Sequence, residues 1–407
     1  MKLKDSIIKK TKTDIWLHHI KSGYKVRINE ETLNILDSMM KKKNSFEMDE
    51  RQKFIYEKLK SRNMIDEDLE YEKPMIKNKS LLESIEIEFS GRCNLRCKHC
   101  FSSLSGKDMS VEIIDKILIG IDDLEPVNLI ISGGEPLLNS NLEYILRESS
   151  KRNMRIIIMS NGILVNPKIC EILSEYGIAK IVVSLDFFKD FHDFIRGEGS
   201  FEKTVFSIKT LKKYNLPVFI TAMVKDKNVC EIEDFKKFCL EELGVLGIRF
   251  SPIMPIGRAK ENSYLVSIEV NINSIEGDCD NNDGMKSKDI SAIISTNGFY
   301  CGAGIKECFI SSIGLIYPCH YFQNLNEPIG DLNKNSFKEI YELYSKSDSI
   351  GVNFDWKEMK ECLKCDKFYR CKGGCRARAK LLTDDWYSKD LYSCMIYFKG
   401  KNYEKRN

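Results

Sequence analysis

The sequence predicts an α/β protein built around a partial (β/α)6 barrel, with a smaller module before the barrel and a cysteine-rich domain after it. Three observations lead to this fold class. Strand and helix patterns alternate six times between residues 84 and 255, strand and helix patterns also occur in the first 75 residues, and eight of the 15 cysteines lie after residue 300. Regular alternation of strands and helices is typical of a parallel sheet covered by helices.

The first unit, residues 1–75, combines a hairpin with helices. Residues 14–20 and 24–28 read as two strands on either side of the turn pair Ser22-Gly23, which predicts a β-hairpin. Apolar residues at helical spacing then predict two helices, at residues 30–40 and 49–62.

This order of elements resembles the winged-helix, PqqD-like element with which enzymes of ribosomal-peptide maturation recognise their precursors. The resemblance implies that an exposed strand edge binds a leader peptide as an additional strand, since main-chain hydrogen bonds supply affinity with few sequence demands. The alternative is a packing extension that binds nothing. Residues 70–79, which are charged and contain Pro74, read as a linker.

Residues 84–255 contain the six strand–helix units. Six units rather than the eight of a closed barrel favour a partial barrel, and ligands of such sheets bind at the carboxyl ends of the strands. Strands are predicted at residues 85–89, 127–132, 155–160, 180–185, 218–224 and 247–251, and helices at residues 111–119, 142–151, 167–176, 201–214 and 232–243.

Three thiols follow the first of these strands, in the stretch G-R-C-N-L-R-C-K-H-C-F. Cys93, Cys97 and Cys100 have the spacing C-x3-C-x2-C. A [4Fe–4S] cluster is ordinarily held by four thiolates, so a loop with three can leave one iron free for another ligand. With Phe101 after the last thiol and G-G-E-P at residues 133–136, the pattern resembles the radical S-adenosylmethionine (SAM) superfamily. The alternative is three unrelated buried or zinc-binding thiols.

The resemblance implies that the G-G-E-P segment contacts SAM. Gly133 and Gly134 would let the backbone approach the methionine end, and Glu135, followed by Pro136, would accept a hydrogen bond from the amino group. The structural alternative is a tight turn between a strand and a helix.

Ser184 and Asp186 lie at the end of the fourth predicted strand, and Arg196 follows in the segment F-H-D-F-I-R-G. Ser184 and Asp186 are expected to reach the ribose hydroxyls of SAM, and Arg196 to pair with a carboxylate. The alternatives are an ion pair between Asp186 and Arg196 and a turn cap at Ser184. The segment P-I-G-R-A at residues 255–259 resembles one common in the superfamily, and its role stays open.

Beyond a connector at residues 256–300, residues 301–407 have the pattern C-x12-G-x4-C followed by C-x2-C-x5-C-x3-C and a distant cysteine. This resembles the SPASM domain, an extension of radical SAM enzymes with two auxiliary iron–sulfur clusters. Structural zinc is the alternative, because thiolates suit both. The resemblance implies a first auxiliary cluster on Cys301, Cys308, Cys319 and Cys375, and a second on Cys362, Cys365, Cys371 and Cys394.

Composition excludes some classes of function. The chain has 63 basic and 60 acidic residues, and its net charge of +3 indicates neither a nucleic-acid nor a membrane surface. No run approaches the ~20 apolar residues that span a bilayer. We therefore expect a cytoplasmic protein that binds no nucleic acid.

Together, the resemblances imply a radical SAM peptide maturase with three [4Fe–4S] clusters and SAM as cofactors. Its partners would be a ribosomally made precursor peptide and a reducing donor such as flavodoxin or ferredoxin. The expected reaction is thioether cross-linking by way of a 5′-deoxyadenosyl radical, and no catalytic acid or base is assigned. The alternatives are a carbon–carbon cross-link, formylglycine formation on a protein, and a non-catalytic electron carrier or peptide-binding protein.

Overall fold

The computed structural model describes residues 2–11, 14–42, 47–66, 75–225, 230–265, 301–347 and 354–397. None of the helices in these ranges is long and apolar enough to cross a bilayer. The strands are β1 (Lys2–Leu3), β2 (Ser6–Lys10), β3 (Ile15–His19), β4 (Lys25–Ile28), β5 (Ile65–Asp66), β6 (Met75–Lys77), β7 (Ser84–Ser90), β8 (Asn128–Gly133), β9 (Arg155–Ser160), β10 (Lys180–Ser184), β11 (Val218–Val224), β12 (Ile248–Pro252), β13 (Glu307–Ile310), β14 (Leu315–Tyr317) and β15 (Gly330–Asp331).

The α-helices differ widely in length, and those that carry the C-terminal cysteines are short. In chain order they are α1 (Glu30–Met40), α2 (Glu50–Lys60), α3 (Val111–Leu124), α4 (Leu142–Ser150), α5 (Pro167–Glu175), α6 (Lys189–Arg196), α7 (Ser200–Lys213), α8 (Ile232–Lys237), α9 (Arg258–Glu261), α10 (His320–Leu325), α11 (Phe337–Ser345), α12 (Lys360–Leu363), α13 (Phe368–Cys371), α14 (Arg376–Thr383) and α15 (Leu391–Tyr397).

The core is a nine-stranded sheet with the order β12-β11-β10-β9-β8-β7-β13-β14-β15. Strands β7 to β12 pair in parallel in chain order, with helices between them, as the alternating pattern predicts. One face is apolar: Ile85, Ile87 and Phe89 of β7 are buried in the main hydrophobic core. The strand bounds lie within one residue of the prediction, but the sequence reading missed α6.

The C-terminal domain is joined to this sheet by a non-local pairing. Strand β13 pairs in parallel with β7, from Glu307 opposite Ser84 to Ile310 opposite Ile87. Two antiparallel strands, β14 and β15, extend the sheet further. Local sequence patterns contain no signal for pairing between segments more than 200 residues apart. The sequence therefore predicted two separate domains.

The N-terminal module forms its own four-stranded sheet with the order β4-β3-β2-β6. The predicted hairpin is confirmed, because β3 and β4 pair antiparallel and Gly23 between them has a φ of +73°. Helices α1 and α2 lie where they were predicted, and Asp49 and Gln52 form a capping box at the start of α2. Strand β2, which was not predicted, pairs with β3 and β6. Strand β4 is an edge strand of this sheet.

Buried cations attach this module to the amino-terminal edge of the core sheet. Lys9 Nζ donates to the carbonyl of Glu125 at 2.8 Å and Lys77 Nζ to the carbonyl of Pro126 at 2.8 Å, at the point where α3 leads into β8. Arg155, at the start of β9, donates to the carbonyl of Ile20 at 2.9 Å. The module therefore lies opposite the carboxyl ends of the strands, where the site residues are expected.

Candidate active site

The three thiols of the C-x3-C-x2-C motif lie in the loop that leaves β7. Burial raises the pKa of Cys97 to about 11, the guanidinium of Arg196 acts against this, and the neighbouring Cys100 and Cys93 raise the pKa further. Burial also raises the pKa of Cys93, and Cys100 adds to that shift. The three thiols thus lie in one short loop, with Cys97 buried and beside Arg196.

The glycines after β8 are interlocked with this loop. The N–H groups of Gly134 and Glu135 donate to the carbonyls of Ser90 and Arg92, at 2.8 and 2.9 Å. A Cβ atom on Gly134 would lie 2.2 Å from the Arg92 oxygen and 3.0 Å from Cys93 Cβ. Gly133 has a φ of +126°, which disfavours any other residue. The backbone of the G-G-E-P segment therefore packs directly against the thiol loop.

Glu135 is fully buried and connects two strand ends. Its carboxylate accepts hydrogen bonds from Ser160 Oγ at 2.8 Å, Asn161 N at 2.8 Å and Leu137 N at 3.1 Å. Burial raises its pKa to about 7, although these donors lower it. Asn161 Nδ2 lies 3.9 Å from Cys93 Sγ. The structural alternative for G-G-E-P, a capped turn, is thus present, and a contact between Glu135 and SAM stays a prediction.

The C-terminal thiols form two groups. In the first group, Cys375 and Cys301 both contribute to the raised pKa of Cys319, after the larger effect of burial. Cys319 and Cys375 immediately precede α10 and α14. In the second group, burial raises the pKa of Cys394 to about 12, with contributions from Cys371 and Cys362, and Cys362 and Cys365 in turn affect Cys371.

Comparison with known proteins agrees with these two regions. Residues 87–239 match the model of the radical SAM superfamily, and residues 301–366 match that of SPASM, an iron–sulfur cluster-binding domain. The AdoMet-dependent heme synthase of Methanosarcina barkeri is 30% identical over 347 residues, which cover 77% of this chain and 96% of that enzyme. The chain belongs to the radical SAM superfamily.

A second curated relative and a solved structure are also similar to this chain. The antilisterial bacteriocin subtilosin biosynthesis protein AlbA of Bacillus subtilis is 28% identical over 75% of this chain and 69% of its own. The crystal structure of Streptococcus suis SuiB bound to precursor peptide SuiA has a TM-score of 0.64 and 17% identity, and the match covers 97% of this chain and 99% of that one. At this identity, the structural likeness shows the fold.

Membership in the radical SAM superfamily, with a SPASM domain, implies four-iron clusters and SAM as cofactors. The donor set fits in its chemistry, since the radical SAM loop and the C-terminal domain both supply free thiols, the ligands that iron–sulfur clusters require. Within the described ranges, no three His, Cys, Asp or Glu side chains are close enough to hold a single metal ion.

The expected contact of Asp186 with the ribose of SAM stays a prediction, and its structural alternative, an ion pair with Arg196, is present. Asp186 is fully buried, and its Oδ1 accepts from Met223 N at 2.7 Å while its Oδ2 accepts from Arg196 Nε at 2.5 Å. Both oxygens are thus engaged by the protein. Arg196 also directs Nη1 towards Cys97 Sγ at 3.9 Å. Ser184 ends β10 at the same edge of the sheet, and SAM contacts of Ser184 and Arg196 stay predictions.

The P-I-G-R-A segment, whose role the sequence left open, holds the radical SAM loop from its other side. Arg258 donates through N to the Cys100 carbonyl and through Nε to the Cys97 carbonyl, both at 2.9 Å. Asn262 Nδ2 donates to the Lys98 carbonyl at 3.2 Å. The motif itself was the sequence signal for these contacts. Its hydrogen-bond partners lie about 160 residues earlier in the chain, and local sequence patterns do not identify partners at that distance.

The structure places Cys308 in the hydrophobic core of the sheet, which argues against its expected role as a ligand of the first auxiliary cluster. Cys308 lies in β13 opposite Ile85 of β7, is 2% exposed, and belongs to the main hydrophobic core. Successive side chains of a strand point to opposite faces, and the face of Cys308 is the apolar one. The first group therefore consists of Cys301, Cys319 and Cys375 among the described residues. Cys279 lies outside the described residues.

Proposed function

We propose that this radical SAM enzyme modifies a ribosomally made precursor peptide whose leader binds the N-terminal module. The observation that carries the proposal is the extent of the likeness to SuiB. That match covers 97% of this chain, whereas the alignment with the heme synthase covers 77%. The difference, about a fifth of the chain, corresponds in length to the segment that precedes β7. In this proposal the additional segment binds the leader, and SAM cleavage is left to the rest of the chain.

The geometry of the module suits a peptide ligand. Strand β4 pairs with β3 on one side and is the last strand of its sheet. An edge strand offers unpaired N–H and C=O groups, to which an extended peptide can add as a further strand. In this proposal the module is PqqD-like, and residues 25–28 bind the leader. The buried contacts of Lys9 and Lys77 keep this edge in a fixed position relative to the core.

The core residues have defined roles in this proposal. Cys93, Cys97 and Cys100 hold one four-iron cluster, and Gly133 to Pro136 allow SAM to approach it. Held by these thiols, a cluster would supply the electron for the reductive cleavage of SAM. Arg258 and Asn262 hold the carbonyls of the loop, and Arg196 lies beside Cys97. These residues keep the thiols at one point while the barrel interior accommodates the peptide.

In this proposal the C-terminal thiols hold two further iron–sulfur clusters, which brings the total to three. Cys362, Cys365, Cys371 and Cys394 provide four thiolates for one auxiliary cluster, which is the usual complement. Cys301, Cys319 and Cys375 provide three for the other, so its fourth ligand comes from outside this group. Both clusters lie in the domain that β13 joins to the core sheet, and they can accept the electron that peptide oxidation releases.

Thioether formation is the reaction we propose. The deoxyadenosyl radical takes one hydrogen atom from a carbon of the peptide, and the carbon radical loses one electron as a cysteine thiol loses its proton and bonds to that carbon. The peptide therefore loses two hydrogen atoms and one free thiol. A carbon–carbon cross-link would remove two hydrogen atoms and leave every thiol free, which separates the two outcomes.

The test is anaerobic incubation of the reconstituted chain with SAM, dithionite and the peptide encoded by a short reading frame beside its gene. We expect 5′-deoxyadenosine, a peptide lighter by two hydrogen atoms, and one thiol fewer on alkylation. A chain without residues 1–75 should cleave SAM and leave the peptide unmodified. Full modification by the truncated chain would contradict leader binding by the module and favour formylglycine formation.

Heme synthesis is a second candidate, because the heme synthase of Methanosarcina barkeri is 30% identical and nearly all of its length is covered. The same reconstituted enzyme is incubated with the tetrapyrrole precursor in place of the peptide. Appearance of the heme absorption spectrum, dependent on SAM and reductant, would replace the peptide proposal. We expect SAM cleavage without heme.

A further inference from the structure

Arg376 is a buried cation whose side chain is not fully paired. It is the first residue of α14, directly follows Cys375, and is 3% exposed. Its Nη1 donates to the carbonyls of Trp386 and Ser388, at 2.9 and 2.8 Å, and its Nη2 donates to the carbonyl of Gly373. Its Nε is buried and has no acceptor in the described part of the chain.

A buried donor without an acceptor is costly, so it indicates a partner that the protein chain itself does not provide. The three carbonyls fix the plane of the guanidinium and therefore the direction of the Nε–H bond. Arg378, two residues further on, provides the contrast, because it forms an ion pair with Asp390 at 2.6 Å. Asp390 also accepts from Cys375 N and Ser393 Oγ, so its carboxylate is already engaged.

The surroundings of Arg376 are cysteines of both C-terminal groups. Gly373, which accepts from Nη2, lies in the turn between Cys371 and Cys375. Burial lowers the pKa of Arg376, and Cys362, Asp390, Cys375 and Cys371 act in the opposite direction. Two of these three thiols belong to the second group. The guanidinium thus lies at the turn that joins Cys371 of the second group to Cys375 of the first.

We propose that Arg376 donates its Nε–H to a sulfur atom of the cluster held by Cys362, Cys365, Cys371 and Cys394, and that it raises the reduction potential of this cluster. Reduction adds one negative charge to the cluster. A hydrogen bond to sulfur and a nearby buried cation both stabilise the more negative state, and both are known determinants of cluster potential. The inference rests on the ligand set given under the proposed function.

Two substitutions separate the charge from the hydrogen bond. Arg376→Gln removes the charge and keeps a neutral N–H donor, whereas Arg376→Lys keeps the charge and loses the Nε–H. The matched control is Lys380→Gln on the same helix, which removes a positive charge that is paired with Asp384 at 2.7 Å near the helix end. The control should leave the midpoint potential unchanged.

The experiment is a dithionite titration of the full chain, followed by electron paramagnetic resonance, with iron counted first. All variants also carry Cys93→Ala, Cys97→Ala and Cys100→Ala, so that only the auxiliary clusters contribute. For Arg376→Gln we expect unchanged iron and a reduction equilibrium about tenfold less favourable, a midpoint lower by about 59 mV for one electron. Arg376→Lys should shift in the same direction by less.

Unchanged midpoints with full iron in Arg376→Gln would overturn the inference. If Arg376→Gln loses iron, the result for Arg376→Lys decides between the two roles. Full iron with a lowered midpoint potential in Arg376→Lys supports the inference. Full iron with an unchanged midpoint, or loss of iron in both variants, gives Arg376 a folding role only and overturns the inference. Absence of iron from the C-terminal domain with Arg376 intact would instead contradict the proposed ligand sets, which is a separate failure.

Discussion

The two thiol regions of this radical SAM enzyme are built in different ways. Cys93, Cys97 and Cys100 come from one loop, which is attached on one side to the end of β8 and on the other to the segment around Arg258. The C-terminal thiols come from segments up to about 90 residues apart, carried by turns and helices as short as four residues. The positions of the thiols in the first region depend on the core sheet. The positions of the thiols in the second region depend on side-chain contacts within the C-terminal domain.

This difference explains where the spacing of cysteines in the sequence predicted which thiols lie together. Within one loop, the interval between cysteines nearly determines which sulfurs meet. Between distant segments, the pairing of strands determines which sulfurs meet. The pairing of β13 with β7 directs the side chain of Cys308 into the hydrophobic core. The same contrast appears in the buried cations, since Arg196 has Asp186 as a partner while Nε of Arg376 has no acceptor among the described residues.

The largest expected contrast is between two cysteines of the C-terminal domain. Cys319→Ala should lose about four iron atoms per chain because it removes a cluster ligand. Cys308→Ala should keep all of its iron and lose roughly 1 kcal/mol of stability, since it only shortens a core side chain. Iron analysis and urea unfolding measure the two effects. Equal iron loss in both variants would restore Cys308 as a ligand.

Gly134→Ala tests the attachment of the radical SAM loop to β8. The added methyl group would meet the Arg92 carbonyl and Cys93 Cβ, so we expect 5′-deoxyadenosine formation to fall by about two orders of magnitude, equivalent to about 2.7 kcal/mol in the barrier. Gly106→Ala is the control for backbone strain without a steric clash, because its φ is +75° but nothing lies within 4 Å of its Cβ position. Similar SAM cleavage in both variants would show that the close approach has no role.

Asp186→Ala tests the buried ion pair beside Cys97. Removal of the carboxylate leaves the guanidinium of Arg196 buried and uncompensated, which typically costs about 3–5 kcal/mol in the free energy of unfolding. Urea unfolding measures this effect. A loss below about 1 kcal/mol, combined with weaker SAM binding, would mean that Asp186 contacts the ligand after all.

The smallest effect concerns the attachment of the N-terminal module, remote from both thiol regions. Burial lowers the pKa of Lys9 and of Lys77 to about 8, from 10.5. Between these values the unfolded chain binds more protons than the folded one, so stability should rise with pH from about 8 to about 10. Lys9→Met/Lys77→Met should lose this rise relative to the exposed control Lys53→Met. An unchanged pH slope in the double variant would contradict buried charges at this interface.

Sequence patterns predicted the core of the fold well because its elements are long and local. Alternation gave the bounds of β7 to β12, and cap and turn chemistry gave the hairpin and helices of the module. Strand β2 and helix α6 were missed since Ser6–Lys10 and Lys189–Arg196 are short and rich in charge. The joining of the two domains by β13 depends on a long-range pairing, which periodicity does not encode.

The sequence predicted some parts of the candidate site and not others. The thiol loop and the G-G-E-P turn needed only local spacing. Two roles stayed open for Asp186 because a carboxylate at a strand end suits a ribose and an arginine equally well, and only the fold brings Arg196 to it. Arg258 and Arg376 acquire their roles through contacts with backbone carbonyls, for which side-chain identity gives no pattern.

The measurement that tests the account most directly compares the intact chain with Cys93→Ala/Cys97→Ala/Cys100→Ala, both purified and reconstituted without oxygen. Iron, acid-labile sulfide and 5′-deoxyadenosine are measured on each. The account predicts about twelve iron atoms falling to about eight, with complete loss of 5′-deoxyadenosine. Full SAM cleavage by the variant, or an intact chain that makes no 5′-deoxyadenosine despite full clusters, would contradict the assignment of radical chemistry to this loop.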